Sequence, residues 1–122
     1  MPELPEVETT CRGIAPVLCG QTVVETIVRC ARLRWPISSD LAARLHGRTL
    51  RALSRRGKYL QFIFDHGTML VHLGMSGSLR VYTTPIPAGR HDHVEWHFSG
   101  GVCLRLRDPR RFGAVLWVPV GE

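Results

Sequence analysis

Lysine is almost absent from this sequence. Of 16 basic residues all but Lys58 are arginine. Lysine can surrender its proton and arginine effectively cannot, so one lysine beside Gly57 suggests a task arginine does not serve. A solvated turn lysine is the plainer alternative. Cysteine is unpatterned. Cys11, Cys19, Cys30 and Cys103 show neither CxxC nor CxxH spacing, which argues against a cysteine zinc site within the chain and for reduced, partly buried thiols. No apolar run approaches the ~20 residues of a membrane-spanning helix. The N-terminus is acidic and broken by proline, unlike the basic-then-apolar start of a signal peptide. A cytoplasmic setting is expected. Internal repeats and low-complexity segments are absent, which leaves out solenoids and linker arrays.

What remains is enough for one domain with a real core: 122 residues, 44% hydrophobic and 21% charged. The formal charge is +6, and it is unevenly spread. Residues 29–58 hold nine basic side chains against Asp40 alone. Positive charge concentrated in this way suits a polyanion such as DNA, although solvated surface arginines would give the same count.

The chain opens Met1-Pro2-Glu3-Leu4-Pro5-Glu6. Removal of Met1 would leave Pro2 with a terminal secondary amine. Such amines titrate near pH 8, so part of the population is uncharged and nucleophilic at neutral pH. An amine of this kind attacks electrophilic carbon to give an iminium. Glu3 is placed to move a proton during that attack. To act as an acid it needs a raised pKa, so burial or a hydrogen bond is expected around it. The positive end of a helix starting near Pro5 would lower the Pro2 amine pKa. Glu6 and Glu8 are expected to complement that same helix end. If Met1 stays, the Pro2 nitrogen is locked in an amide and cannot attack.

Leu4, Val7, Cys11, Ile14, Val17 and Leu18 recur at helical spacing, predicting a helix over about 5–18 that ends near Gly20. Ser39 or Asp40 can cap a short second helix over Leu41–Leu45, stopped at Gly47. The other segments read as strands: 22–29, 48–55, 59–64, 68–73, 78–83, 93–98, 102–107 and 114–118. Short strands at this density, with Gly and Pro between them, predict a mainly β fold, a two-sheet β-sandwich or a barrel, with flanking helices. Val94, Trp96 and Phe98 share one strand face and His93, Glu95 and His97 the other. Val102, Leu104 and Leu106 likewise oppose Cys103, Arg105 and Arg107. The apolar sets are expected in the core and the polar sets outside it.

Two glycines around Met75 in HLGMSG suggest an exposed loop tip carrying a flexible apolar wedge, with ordinary core packing as the rival. His91, His93, Glu95 and His97 form HxHxExH, which taken bare resembles a metal-ligand pattern. An exposed strand face holds such residues without a ligand, and no metal is expected. Asp108 is expected to orient the 109–111 turn through local hydrogen bonds.

Five segments fall in one order: MPELPEVETTCRGI at 1–14, RRGKYL at 55–60, VHLGMSGSLR at 71–80, HDHV at 91–94 and DPRRFGA at 108–114. Together they resemble the N-terminal part of formamidopyrimidine-DNA glycosylase, a bacterial base-excision repair family. The resemblance runs along essentially the whole chain. It implies a two-sheet β-sandwich acting on duplex DNA with oxidised-purine (8-oxoguanine, formamidopyrimidine) or abasic lesions. It implies Pro2 as nucleophile at C1′, Glu3 as proton carrier to the sugar ring oxygen, and Lys58 as a catalytic and DNA-contacting residue beside the lesion. Met75, Arg110 and Phe112 match the residues that fill the gap left by the extruded nucleotide. In that division Arg110 bonds the orphaned partner base and Phe112 wedges between base pairs. For Phe112, core packing is the stronger rival, since Ala114, Leu116 and Val118 follow in strand register. His91 matches a DNA-backbone contact. Arg111 is left between phosphate contact and support of Asp108.

The family continues into a helix–two-turns–helix module and usually a zinc finger. Neither is in these 122 residues, so the chain reads as an isolated, monomeric N-terminal catalytic domain over 1–122. Zinc is expected only in the finger, and no cofactor is expected in the chain itself. Two alternatives remain: an endonuclease VIII-like glycosylase for oxidised pyrimidines, and a non-catalytic DNA-binding module. MPELPEVET and DPRRFG favour the purine branch.

Overall fold

The computed structural model describes residues 3–121; Pro2 lies outside them. Helix α1 (Leu4–Leu18) leads into β1 (Val23–Val28), the short α2 (Leu41–Leu45), and then seven strands. These are β2 (Ala52–Arg56), β3 (Tyr59–Phe64), β4 (Gly67–His72), β5 (Ser78–Tyr82), β6 (Asp92–Phe98), β7 (Cys103–Arg107) and β8 (Ala114–Pro119). They form two antiparallel four-stranded sheets, ordered β1-β6-β7-β5 and β2-β3-β4-β8. This is the expected sandwich. Phe62 of one sheet stacks on Trp96 of the other at 6.4 Å between ring centroids, both fully buried. Each such side chain stabilises the fold by about 1.5–3 kcal/mol through burial.

Val7, Cys11, Ile14 and Leu18 form the buried stripe of α1, one residue per turn. Leu4 and Val17, assigned to the same stripe by spacing, are instead exposed. Pro5 sits in the first turn as expected. Gly20 and Gly47 follow the two helices at φ +89° and +75°, a region where an L side chain is strained. Asp40 is the N-cap of α2, but its side chain makes no cap bond. It bonds Ser38 and Arg44 instead.

The outer face of β6 and β7 departs from expectation. Val94, Trp96, Phe98, Leu104 and Leu106 enter the core as predicted, but His93, Glu95, Cys103 and Arg105 are buried too. The cause is a strap over residues 83–91. Arg105 donates to the Ile86 and Pro87 carbonyls and lies over the Tyr82 ring at 4.7 Å. The face that looked solvent-bound is therefore buried at His93, Glu95, Cys103 and Arg105, while His97 stays half-buried and Arg107 exposed.

Candidate nucleic-acid interface and catalytic residues

Asp108 is completely buried at the end of β7. Its Oδ1 accepts from Ser76 Oγ at 2.9 Å and from the Arg111 backbone N–H at 3.1 Å. Its Oδ2 accepts the Gly113 N–H at 2.8 Å. Ser76 Oγ in turn accepts the Arg110 N–H at 3.1 Å. The Asp108 carbonyl lies 2.9 Å from His93 Nε2, and its N–H donates to the His91 carbonyl at 3.0 Å. One carboxylate thus joins the 73–77 loop to the 108–113 loop. Charge-assisted bonds to backbone donors are the strong kind. They go beyond the local turn expected from the sequence.

Close glycine contacts complete the junction. Gly74 has φ +61°, and a Cβ there would fall 2.5 Å from the Phe112 carbonyl carbon. A Cβ on Gly77 would meet the Leu73 oxygen at 2.3 Å. Arg111 adopts φ +57°, a conformation that a non-glycine residue holds only when its surroundings impose it. The imposing contact is its N–H on Asp108, so Arg111 supports the hub through its backbone.

Met75 and Phe112 consequently stand out from the surface, 44% and 43% exposed. Phe112 does not continue the packing of β8, because Asp108 turns the chain before that strand begins. Arg110 lies over the Phe112 ring at 5.4 Å. Arg34, His72, Gly74, Met75 and Phe112 line one cleft of about 440 Å³. Burial, reinforced by the charges of Arg34 and Lys58, pushes the His72 pKa down. His72 is therefore neutral at pH 7, and its Nδ1 accepts the Gly74 N–H at 2.9 Å.

Lys58 occupies the two-residue turn between β2 and β3, and the adjoining Tyr59 pairs with His72. Gly57, at φ +59°, makes the turn possible. Arg55 secures it from beneath, donating to the Gly57 carbonyl at 2.9 Å and to Glu8 of α1 at 2.8 Å. Glu8, expected to serve the helix dipole, instead bridges Arg55 and Arg12. Glu3 caps α1 through its carbonyl, which accepts from Glu6 and Val7. The burial expected around Glu3 is missing, since the residue is exposed and forms no side-chain cap bond. At the first turn of a surface helix, nothing in residues 3–121 packs over it. His91 is half-buried, its ring edge-on to His93 at 6.2 Å.

The family model for the formamidopyrimidine-DNA glycosylase N-terminal domain matches residues 1–115. The chain belongs to the formamidopyrimidine-DNA glycosylase family. It is 63% identical over 116 residues to the Thiobacillus denitrificans formamidopyrimidine-DNA glycosylase, covering 95% of this chain and 43% of that protein. It is 58% identical over 117 residues to the Methylococcus capsulatus enzyme of the same name, covering 96% and 43%. The Lactococcus lactis glycosylase, solved non-covalently bound to DNA containing an AP site, superposes with TM-score 0.88 at 32% identity, covering 97% and 45%. Its complex with DNA containing FAPY-dG gives TM-score 0.88 at 33% identity, covering 97% and 44%. The chain thus spans less than half the length of these glycosylases.

Within this glycosylase-family domain, sequence reasoning missed two neighbours of the Met75–Phe112 cleft. Arg34 lines it, and its N–H donates to the Gly113 carbonyl at 3.0 Å. Trp35, 50% exposed, stands beside the Arg34 guanidinium at 5.7 Å. The signal was an arginine–tryptophan run, RLRW, inside the basic third of the chain.

Proposed function

We propose that residues 1–122 are the N-terminal catalytic domain of a bifunctional DNA glycosylase/AP lyase that removes oxidised purines in base-excision repair. The observation that carries this reading is the Asp108 hub. It presents Met75, Arg110 and Phe112 together on two tied loops, in a chain whose family membership is plain. A flexible apolar side chain, a guanidinium and an aromatic ring suit insertion into the space vacated by an extruded nucleotide. Arg110 supplies donors for the orphaned base, and Phe112 wedges beside it. Lys58 and His91 face DNA phosphate and sugar.

The Pro2 amine attacks C1′ and the damaged base leaves with the bonding electrons. Glu3 protonates the ring oxygen as the sugar opens. The resulting iminium withdraws electrons and acidifies the C2′ proton, so the 3′ phosphate and then the 5′ phosphate are eliminated. One nucleophile accounts for both base removal and strand cleavage. Glu3 is exposed among the described residues, so bound DNA supplies the desolvation at its carboxyl. The remaining half of such a protein, with its helix–two-turns–helix and zinc finger, would complete the DNA clamp.

Borohydride trapping on duplex DNA with an abasic site, followed by peptide mapping, tests this. The expected adduct is at Pro2 in a chain lacking Met1. An adduct at Lys58 would transfer the nucleophile role. No adduct from a chain whose mass shows a free Pro2 would deny catalysis to this domain alone and favour a DNA-binding module.

A further inference from the structure

Antiparallel register brings together residues that the sequence keeps apart. Across β6 and β7, His97 pairs with Cys103 and Glu95 with Arg105. His97 Nε2 lies 3.2 Å from Glu95 Oε2 and 3.9 Å from Cys103 Sγ. All three ligand atoms fall within 4.8 Å of one another. A tetrahedral zinc-type cation, with bonds of about 2.0–2.3 Å, separates neighbouring ligand atoms by roughly 3.3–3.6 Å. His97 Nε2 already lies near that distance from both partners, and a bound cation would draw Glu95 Oε2 and Cys103 Sγ closer together. Glu95 is 2% and Cys103 8% exposed, so two of the three donors are held in place by burial.

We propose that Glu95 Oε2, His97 Nε2 and Cys103 Sγ bind one thiophilic divalent cation of the zinc class. The site is separate from the DNA-facing loops and from any cysteine finger. His97 and Cys103 line a surface cleft of about 470 Å³ under the 83–87 strap, which supplies an entry path and room for a water as fourth ligand. Arg105 Nε lies 2.7 Å from the other carboxylate oxygen, Oε1, as its charge partner, which leaves Oε2 for the cation. Arg29, on Oε2 at 3.1 Å and 44% exposed, swings into solvent on binding. Only the Arg29 end of this pair is exposed, and Arg105 stays on Glu95 when Arg29 leaves. The thiol gives its proton to solvent and the cation takes the thiolate lone pair. The His97 ring proton shifts to Nδ1, leaving Nε2 free to coordinate. Burial, and then the Glu95 charge, hold the free thiol protonated, and a cation between them reverses both effects. The expectation of no metal rested on an exposed strand face and on the family resemblance; the burial of Glu95 and Cys103 removes only the first ground.

The test is Co²⁺ titration of the reduced, metal-free chain, followed by absorption. A sulfur-to-cobalt charge-transfer band with tetrahedral d–d intensity is expected to saturate at one equivalent and to be displaced by Zn²⁺. Cys103→Ser should abolish the charge-transfer band. His97→Gln, at a half-exposed position, should weaken affinity by more than about tenfold, since losing a ligand costs more than losing a group that only hydrogen-bonds one. Cys30→Ser should change nothing. The proposal fails if no sulfur band forms in tenfold excess Co²⁺. It also fails if the band is insensitive to His97→Gln, or survives Cys103→Ser and vanishes in Cys30→Ser.

Discussion

Asp108 and Glu95 are both carboxylates buried beneath loops at the same sheet, yet they are satisfied in opposite ways. Asp108 accepts neutral donors, a serine hydroxyl and two backbone N–H groups. Glu95 is surrounded by Arg105, Arg29 and the His97 ring. Neutral donors in fixed directions dictate backbone geometry, so Asp108 shapes two loops. Guanidinium groups on long side chains dictate charge and little geometry, and the Arg105 N–H is not even aligned on the oxygen it approaches. The first arrangement makes a presenting scaffold. The second makes an adjustable polar pocket.

The largest effect should come from the scaffold. Asp108→Ala takes the acceptor from three donors; the Arg111 N–H keeps the residue-108 carbonyl at 3.2 Å, and the other two are each worth about 1–3 kcal/mol when buried. We expect a loss of about 4 kcal/mol by urea unfolding, together with loss of DNA binding. Asp108→Asn, which keeps one acceptor oxygen, should be milder. Equal damage from both variants would show that charge, and not direction, makes the hub, collapsing the contrast with Glu95.

Arg105→Leu tests the other side. Removing one partner of a buried pair costs about 3–5 kcal/mol, and the low end applies because Arg29 and His97 remain. Burial works to raise the Glu95 pKa, but hydrogen bonds from His97 and Arg29 and the charges of both arginines hold it below the ordinary carboxylate value. Without Arg105 the burial effect grows. A carboxyl whose folded pKa rises above its unfolded value loses stability as pH increases, so the variant's deficit should shrink toward acid pH. A flat difference between pH 4 and 8 would mean that Glu95 is solvated after all.

The two carboxylates also mark what was legible in the sequence. Asp108 stands before Pro109 and near Gly113, so its turn chemistry is local and readable in DPRRFG. Met75 at its loop tip is readable for the same reason. Period-two alternation located the core faces of β6 and β7 correctly. It could not reveal that the 83–91 strap covers the opposite face, because covering depends on where a loop is carried in three dimensions. Nor could spacing place Cys103 beside His97, a consequence of hairpin register. The exposure of Phe112 was hidden likewise, since strand periodicity argued for the core and only the Asp108 turn takes the ring out. The solvent-facing side of Glu3 depends on what lies above α1, which no helical periodicity states.

Glu8 extends the comparison to a carboxylate at the surface, where the smallest effect is expected. Hydrogen bonds from Arg55, then Arg12, hold its pKa below the ordinary value. A depressed folded pKa means stability that is present above the unfolded pKa and lost as pH falls through the folded one. The contribution should therefore be complete at neutral pH and fade below about pH 4.3, and added salt should weaken it, as expected of exposed pairs. Glu8→Gln should lower the thermal midpoint slightly at pH 7 and match the parent at acid pH. Its local consequence should be larger than its global one, because Glu8 reaches the Lys58 turn through Arg55. Amide exchange at Gly57 and Lys58 should accelerate in the variant while exchange in β6 stays unchanged. Uniform acceleration across both sheets would make Glu8 a general stabiliser instead of a clamp between α1 and the Lys58 turn.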